Sequence, residues 1–416
     1  MQTTKRDTLL GVLLAAPIVA FPFARAYLVF YLAIILAALI TKRTMPTIRA
    51  ERDLALGVLL LAGPLLITIM ALGVSTGSIE RVSIEKLGLI LIAGLLGFST
   101  AGLSTSPRTR AVAAAIIGLT ILFWIFDGLV QLLFGKDLFG IPANTRSGGE
   151  RIGAFFDNPY RYGYFIAFLA VLPAFWLISQ RKERITASLV LVAGGAVALA
   201  GGSRYAMLGY GLLALIFVLV AKRDLPAHQR LGFLAGATIG LCALFGLLLA
   251  ASPSLQQRVA DTLIILNGLD RDSLNLALSY RLDIWEPALA LARDNWLFGT
   301  GPSQIASAIK PYLPPDSIFV TENIEIMHAH QVLLEVLIGT GIIGLVCFIA
   351  LYAHVGAVAW RQREASATFG WGCLLTFLVM WMPFGSQKDI YGSEQMLLSF
   401  YLLGLGFGFL NNREAA

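Results

Sequence analysis

The chain carries little charge for its length, and this scarcity limits the classes it can belong to. Only 13% of its 416 residues are charged, whereas 57% are hydrophobic. A soluble domain carries about 25% charged residues, so the composition excludes an ordinary soluble enzyme. Repeats of fixed period and low-complexity segments are also absent from the sequence. We therefore expect a single integral membrane domain over residues 1–416, without an appended soluble domain.

Cysteine and histidine are scarce as well. The three cysteines, Cys242, Cys347 and Cys373, each lie inside an apolar run. They are interpreted as packing residues rather than as disulfide partners or metal ligands. Only four histidines are present, and two of them, His328 and His330, are separated by a single alanine. Because imidazole exchanges protons near neutral pH, this pair marks a candidate site.

Long apolar runs, in contrast, fill most of the chain. A membrane-spanning helix needs roughly 20 apolar residues, and about twelve such stretches are present. They lie near 8–23, 26–41, 53–74, 84–101, 110–134, 160–179, 185–201, 204–221, 230–250, 331–358, 367–385 and 394–410. The sequence predicts an all-α polytopic membrane protein with about twelve transmembrane helices.

The distribution of basic residues predicts the orientation. Lysine and arginine concentrate in the short segments between alternate spans, such as Lys42-Arg43 and Arg181-Lys182, while acidic residues dominate the opposite side. By the positive-inside rule, both termini lie inside and residues 251–328 form a long outer loop between helices 9 and 10. The net charge of +6 then reflects topological anchors, and no nucleic-acid partner is needed to explain it.

The long outer loop is predicted to be partly helical. Arg281, Trp285 and Ala288 recur at helical spacing in the run around 280–295, and Pro287 indicates that the helix starts or kinks nearby. The aromatic run after it, near 296–298, is typical of a segment in the membrane interface or of a cap on the bundle.

Four motifs occur in order on the predicted outer side. They are Arg151-Ile152-Gly153-Ala154-Phe155 with Asn158-Pro159, Gly202-Ser203-Arg204-Tyr205-Ala206, Arg281 with Trp285 and Phe298-Gly299-Thr300-Gly301, and His330-Gln331 with Gly341 and Gly344. Together they resemble the O-antigen ligase and polymerase superfamily of bacterial inner membranes. The last motif is similar to the ligase histidine signature at every fixed position. The resemblance extends to the topology, with its long loop between helices 9 and 10.

The resemblance implies a glycosyltransferase of the O-antigen ligase type. The donor is then an O-antigen polysaccharide on undecaprenyl pyrophosphate, and the acceptor is a sugar hydroxyl of the lipid A core. Membrane lipids are the remaining partners, and no cofactor or metal is expected. The protein is expected in the inner membrane, with cytoplasmic termini and an active site that faces the periplasm.

The chemistry of this transfer assigns roles to three catalytic candidates. His330 is the candidate general base, because the attacking hydroxyl must lose a proton. Arg204 and Arg281 are the candidates that stabilise the leaving diphosphate, since guanidinium matches phosphate oxygens and stays charged. A base and a leaving group on opposite faces of the sugar predict inversion.

Six further residues are candidates for substrate binding. They are Arg151, Asn158, Trp285, Glu335, Lys388 and Asp389. A charge such as Glu335, one turn into the tenth span, is costly in a membrane and therefore a functional candidate. It orients His330, pairs with an arginine or forms a structural ion pair. Lys388-Asp389 is interpreted as a pair near the mouth of the site or as a surface salt bridge.

Each assignment has a structural alternative. His330 is alternatively a cap or anchor of the tenth span, and His328 only its neighbour, because positions two apart on a helix do not face each other. Arg204 is alternatively an interfacial anchor and Arg281 a solvated helix face. A metal site on the two histidines lacks a third ligand at diagnostic spacing. Asp270-Arg271-Asp272 is interpreted as a solvated turn.

Other functions remain open at this point. A secondary transporter also fits twelve spans, but its site usually lies at the bilayer midplane between corresponding halves. No such correspondence is visible in the sequence, and the polar candidates Asp127, Arg204, His330 and Glu335 map toward the outer boundary. Within the superfamily, the O-antigen polymerase and the protein O-oligosaccharyltransferase are the rival activities.

Overall fold

The computed structural model describes most of the chain. The described residues are 2–43, 48–76, 81–144, 151–156, 158–179, 184–221, 270–362, 368–383, 385 and 389–410, with isolated residues between 235 and 264. They form α-helices and turns, and no strand longer than an isolated bridge occurs among them. The all-α prediction is therefore confirmed for this part of the chain.

Sixteen α-helices are described in the residues given above. In chain order they are α1 (Gln2–Ala20), α2 (Tyr27–Thr41), α3 (Ile48–Thr76), α4 (Arg81–Leu103), α5 (Pro107–Phe134), α6 (Pro159–Leu169), α7 (Leu172–Ser179), α8 (Arg184–Ala200), α9 (Arg204–Ala221), α10 (Arg271–Ala277), α11 (Leu282–Asp294), α12 (Ile305–Ala308), α13 (Ile318–Thr321), α14 (Val332–Arg361), α15 (Phe369–Met380) and α16 (Ser393–Leu410). A 3-10 turn at Lys310–Tyr312 lies between α12 and α13.

The structure supports a multi-pass membrane protein. Within the described residues, six helical segments are long and apolar enough to cross a membrane, one of them made of α6 and α7 in succession, and four further apolar helices are shorter. The count of twelve stays a prediction, because the ninth predicted span, 230–250, lies mostly outside the described residues. The predicted span 160–179 consists of two helices, α6 and α7, and the helix in 367–385 ends at Met380.

The bundle is held together by apolar packing between its helices. Helix α4 packs on α16, α1 on α5 and α3 on α14. One large hydrophobic cluster runs through the bundle. A smaller cluster joins α11 to the segment before α14 through Ile284, Ala288 and Ile326. The long outer loop is therefore packed onto the bundle rather than suspended from it, and its predicted helix near 280–295 is confirmed as α11.

Candidate active site at the loop end of the bundle

Helix α14 is broken at Gly341, and the break is made by the long loop. Gly341 has φ +65° and ψ −166°, in the left-handed region that favours glycine. The crossing segment, residues 296–301, pairs with the broken backbone. Ile342 donates its N–H to Trp296 (2.8 Å), and Thr300 donates its N–H to Ile338 (2.7 Å). A Cβ on Gly341 would lie 2.1 Å from the Leu297 carbonyl oxygen. The motif that contains Gly341 and the motif of the crossing segment therefore form one structural unit.

The crossing segment is also tied to α3. Thr68 is buried in α3 and donates its hydroxyl to the Phe298 carbonyl at 2.7 Å. Gly299 lies against the backbone of Ile338 and Thr340, where a Cβ would approach the Ile338 oxygen to 2.5 Å. The glycines of the Phe298-Gly299-Thr300-Gly301 motif therefore permit close backbone contact with α14, which fixes the outer part of that helix.

The residues before α14, 328–331, form the histidine seam, and its centre is clamped from two sides. The N–H of Ala329 donates to Oε2 of Glu335 at 2.8 Å. Its carbonyl accepts from Nε1 of Trp285 at 3.0 Å. Ala329 and Glu335 are both buried, so these hydrogen bonds are shielded from water. The clamp fixes the peptide units on each side of the alanine, and with them the adjoining histidines.

His330 is held in an unusual conformation with an unused nitrogen. Its φ is +53°, which is uncommon for a residue other than glycine and typical of functional sites. Its Nδ1 is buried and has no hydrogen-bond partner among the described residues. Its ring centroid lies 3.8 Å from that of His328. The expectation that His328 would not face His330 was therefore wrong, because the seam precedes the helix rather than belonging to it.

The surroundings of His330 keep its imidazole neutral. Burial, then the nearby His328 and then Arg281 together lower the pKa of His330 to about 3. At neutral pH the ring is therefore uncharged and able to accept a proton. The effect of Arg281 on this pKa also places its guanidinium within electrostatic range of His330, although 49 residues of sequence separate the two.

Gln331 caps α14 and attaches the start of that helix to the segment that follows α15. Its side-chain oxygen accepts from the N–H of Leu334, and its Nε2 donates to the Pro383 carbonyl at 3.1 Å. The N–H of Val332 donates to the Gly385 carbonyl at 2.9 Å. The segment after α15 is thus attached directly to the histidine seam. The two hydrogen bonds of the Gln331 side chain explain why a glutamine occupies this position.

The Gly-Ser-Arg motif lies beside this docking point. Ser203 caps α9 by accepting the N–H of Ala206 at 3.2 Å. Tyr205 donates its hydroxyl to the Val379 carbonyl at 2.7 Å, and its ring leaves no room for a Cβ on Gly385. Arg204 begins α9 between these two residues, although its side chain lies outside the described residues. The backbone of Arg204, a candidate catalytic residue, is therefore brought to the same end of the bundle as His330.

The first outer loop is fixed by polar side chains of α5. Asp127 accepts the N–H groups of Leu138 (2.9 Å) and Phe155 (3.0 Å). Gln131 accepts those of Gly153 (2.8 Å) and Ala154 (2.7 Å). Asp127 is fully buried, so its described contacts are those of an anchor for the loop rather than of a group that faces the site.

Two substrate-binding candidates lie on this first loop. The guanidinium of Arg151 stacks on the ring of Tyr160 at 4.6 Å, and burial lowers the pKa of Arg151. Asn158 caps α6, because its Oδ1 accepts the N–H groups of Tyr160 and Arg161. Substrate binding by Arg151 and Asn158 stays a prediction.

Asp389 is paired, but with a residue that the sequence did not suggest. Its Oδ2 lies 3.5 Å from Nζ of Lys86 in α4 and accepts the hydroxyl of Ser303 at 2.9 Å. Lys86 also donates to the Tyr391 carbonyl at 2.9 Å. This cluster joins α4, the long loop and the segment before α16. The other member of the predicted pair, Lys388, lies outside the described residues.

Another charged pair at this end of the bundle was missed in the sequence. Arg161 of α6 is buried, and its Nε lies 2.7 Å from Oε1 of Glu394 at the start of α16. Its guanidinium stacks on the rings of Phe21 (4.5 Å) and Tyr27 (5.3 Å). Charges inside apolar runs, the signal that marked Glu335, would also have marked Arg161 and Lys86.

The structure also describes the acidic run at 270–272 and bears on a metal site at the two histidines. Asp270-Arg271-Asp272 is not a turn, because Asp270 caps α10 and Arg271 pairs with Asp283 (3.0 Å) and Glu286 (2.7 Å). A metal site would need three ligands in one place. Among the described residues, no group of three histidine, cysteine or carboxylate side chains is close enough to hold a metal ion.

Residues 187–349 match a protein family described as O-antigen ligase. This region extends from α8 into α14 and contains three of the four motifs, while Arg151, Asn158 and Asp389 lie outside it. No curated protein matches the chain. The family match confirms the resemblance carried by the motifs: over this region the chain is similar to membrane enzymes of the O-antigen ligase or polymerase type.

Proposed function

We propose that the chain transfers O-antigen polysaccharide from undecaprenyl pyrophosphate to a sugar hydroxyl of the lipid A core. The transfer takes place at the periplasmic face of the bacterial inner membrane. The observation that carries the proposal is the neutral, clamped His330 within electrostatic range of Arg281. A base that is free to accept a proton and a cation that attracts a diphosphate are the two groups that this transfer requires.

The proposed reaction is a single displacement. The acceptor hydroxyl gives its proton to His330 while its oxygen forms a bond to the anomeric carbon of the donor. The bond from that carbon to the diphosphate breaks, and undecaprenyl pyrophosphate leaves with the electron pair. Arg281 and Arg204 stabilise the negative charge that grows on the leaving oxygen. Attack from the face opposite the leaving group inverts the anomeric centre.

The low pKa of His330 fits a base that the donor itself activates. Arg281 contributes to lowering this pKa in the free protein. A diphosphate bound at Arg281 offsets the charge of the guanidinium and so removes one of the three causes of the low pKa, the one that ranks after burial and His328. The base thus becomes stronger when the leaving group is in place.

Of the substrate-binding candidates, Glu335 and Trp285 fit a positioning role in this scheme. Their described hydrogen bonds end on Ala329, so both act on His330 through the backbone. Asp389, bound to Lys86 and Ser303, holds the surrounding segments. Arg151, Asn158, Arg204 and Lys388 remain the candidates for direct contact with the donor or the acceptor.

Reconstitution tests the proposal. Purified protein mixed with polysaccharide-linked undecaprenyl pyrophosphate and rough lipopolysaccharide should form long-chain lipopolysaccharide on a gel. Activity should survive EDTA, because the arginines stabilise the leaving group without a divalent ion. A requirement for such an ion would reopen the histidines as ligands. A protein that forms no glycosidic bond under these conditions, but moves the donor across a vesicle, would be a transporter.

The phenotype of a deletion strain separates the ligase from the polymerase. Loss of a ligase leaves long polysaccharide on undecaprenyl pyrophosphate and bare core on lipid A. Loss of a polymerase leaves core that carries a single repeat unit. Accumulation of unmodified acceptor protein would instead indicate a protein O-oligosaccharyltransferase.

Cysteine labelling tests the topology. In inverted inner membrane vesicles the periplasmic face lies inside, so a single cysteine introduced near Asp270 should be labelled only after the vesicles are permeabilised.

A further inference from the structure

A pocket of about 570 Å³ lies in the outer part of the long loop, apart from the clamp around His330. It is formed by the 3-10 turn at Lys310–Tyr312, by α13 and by the extended chain that follows α13. Its volume is within the range of about 300–1,000 Å³ that small-ligand pockets occupy. No role was assigned to these residues from the motifs, so the pocket needs its own explanation.

The floor of the pocket is rigid because it belongs to the smaller hydrophobic cluster. Ile309 and Ile326 are buried in that cluster together with Ala329 of the histidine seam. The wall is shaped by Asn323, whose φ of +51° reverses the chain. The next residue, Ile324, donates its N–H back to the Phe319 carbonyl at 3.1 Å. The pocket is therefore a fixed feature of the packed loop.

The lining combines hydrogen-bonding groups with apolar surface. Lys310, Asn323 and Glu325 line the pocket with Phe319 and Ile324. Within the described part of the chain, none of the three polar side chains has a hydrogen bond or an ion pair. An ammonium, an amide and a carboxylate supply donors and acceptors for hydroxyls, and the aromatic and aliphatic groups suit the C–H face of a sugar ring.

The pocket lies close in the chain to His330, the candidate base. Ile326 in its floor is four residues before His330, and four extended residues span at most about 14 Å. A sugar bound in the pocket therefore places a neighbouring sugar unit within reach of the imidazole.

We infer that this pocket binds a saccharide unit of the acceptor and presents the adjoining sugar hydroxyl to His330. The inference rests on the proposed function, because only a transferase has an acceptor. It adds a specificity site that is separate from the catalytic groups. Lys310 and Glu325 are positioned to select among acceptors by the hydroxyls and charges of that one sugar.

The test is steady-state kinetics on full-length protein with K310Q and E325Q. Each variant should raise the KM for rough lipopolysaccharide about three- to tenfold, since one hydrogen bond contributes about 0.5–1.5 kcal/mol. Both kcat and the KM for the donor should stay unchanged. K136Q, on the exposed part of the first outer loop, and E322Q, next to the pocket, are matched controls and should keep both KM values.

Binding is measured separately by saturation-transfer NMR with core oligosaccharide released from lipid A. The wild-type signal should weaken in the double variant K310Q/E325Q. An unchanged acceptor KM together with an unchanged NMR signal would overturn the inference, even if transfer activity is present. A rise confined to the donor KM would also overturn it, by placing the donor saccharide in the pocket. If the wild type makes no product, the proposed function fails, and the NMR measurement still decides whether a saccharide binds here.

Discussion

The two ends of α14 each hold a histidine, and their surroundings are opposite. At the loop end His330 lies in left-handed backbone, near His328 and Arg281, with a buried nitrogen that lacks a described partner. Toward the other end His354 lies in regular helix, with its Nε2 3.3 Å from the buried carboxylate of Asp53 in α3, a charge contact without hydrogen-bond geometry. One histidine lies near a cation and the other lies beside a carboxylate.

This difference distinguishes a group kept reactive from a group used for packing. A carboxylate beside a histidine attracts the ring when the ring is charged and then forms an ion pair between helices. His354 and Asp53 therefore connect α14 to α3. His330 lacks such a partner and is held through its backbone by Ala329 instead, which leaves its ring available to a substrate. The family resemblance points to the same histidine, but the geometry gives the physical reason.

Replacing each of the two histidines by alanine tests this comparison directly and should give the largest effect. H330A should lower the transfer rate about 100- to 10,000-fold, the range for loss of a general base, without loss of folded protein. H354A should leave transfer per folded molecule nearly unchanged and lower the melting temperature, because Asp53 loses its buried partner. Both are read from transfer assays and thermal denaturation in detergent. Equal losses of activity in the two variants would contradict the distinction.

The cation near His330 should have the next largest effect. R281A should reduce the transfer rate about 100- to 1,000-fold, in line with removal of one group that stabilises a developing anion. R281K should recover part of the loss, because an ammonium keeps the charge but not the planar fork. R293A, an exposed position in the last turn of α11, is the matched control. Full activity of R281K would refute the bidentate contact.

The break in α14 can be tested by filling it. G341A should destabilise the folded protein by at least about 2 kcal/mol, since an alanine in left-handed backbone costs about 1–2 kcal/mol and its Cβ meets the Leu297 carbonyl. G356A, on the same helix with open space around it, should retain wild-type stability. Thermal unfolding in detergent measures both, and similar melting temperatures would show that the break is not required.

The clamp on Ala329 should have a smaller effect, and one with a distinct kinetic form. E335A removes the acceptor of the Ala329 N–H and should lower kcat about tenfold, a loss of about 1.4 kcal/mol that is typical for one buried hydrogen bond. E335Q keeps an acceptor oxygen and should restore most of kcat. The KM values should not change in either variant. A raised KM with an unchanged kcat would instead assign Glu335 to substrate binding.

The smallest expected effect is a change in the pH dependence of the reaction when a neighbour of His330 is removed. Burial, then His328, then Arg281 lower the pKa of His330 to about 3, so the rate should be insensitive to protonation of His330 at neutral pH and fall only in strong acid. H328A removes one of these causes. The acid limb of the kcat/KM profile should then move to higher pH, whereas H354A should leave the limb in place. A limb that moves to lower pH in H328A would contradict the assignment.

The sequence predicted the framework well because apolar run length is a local property. The run 394–410 became α16 (Ser393–Leu410), and the helical spacing of Arg281 and Trp285 became α11. The break in α14 was not predictable in this way. The residues around Gly341 are apolar apart from Thr340. The break accompanies a contact with the crossing segment, about 40 residues earlier in the chain, which pairs with the backbone there.

The site was predicted in its residues but not in its connections. His330, Trp285 and Glu335 were all candidates, yet the alanine between the histidines, which joins them, carries no chemical signal in a sequence. Asp389 was expected to pair with its neighbour and instead contacts Lys86, 303 positions away. Contacts between distant elements decide which polar groups are satisfied within the protein and which remain for a ligand, and spacing along the chain does not record them.

The backbone pairing at Gly341 also constrains the order in which the protein is assembled. The break lies about 14 Å along α14 from its start, inside a span where water cannot satisfy free peptide groups. The crossing segment supplies those hydrogen bonds and is synthesised before α14. The long loop therefore has to pack against this helix before α14 reaches its final, broken form. Until the crossing segment is in place, the peptide groups around Gly341 lack the partners that the folded protein gives them.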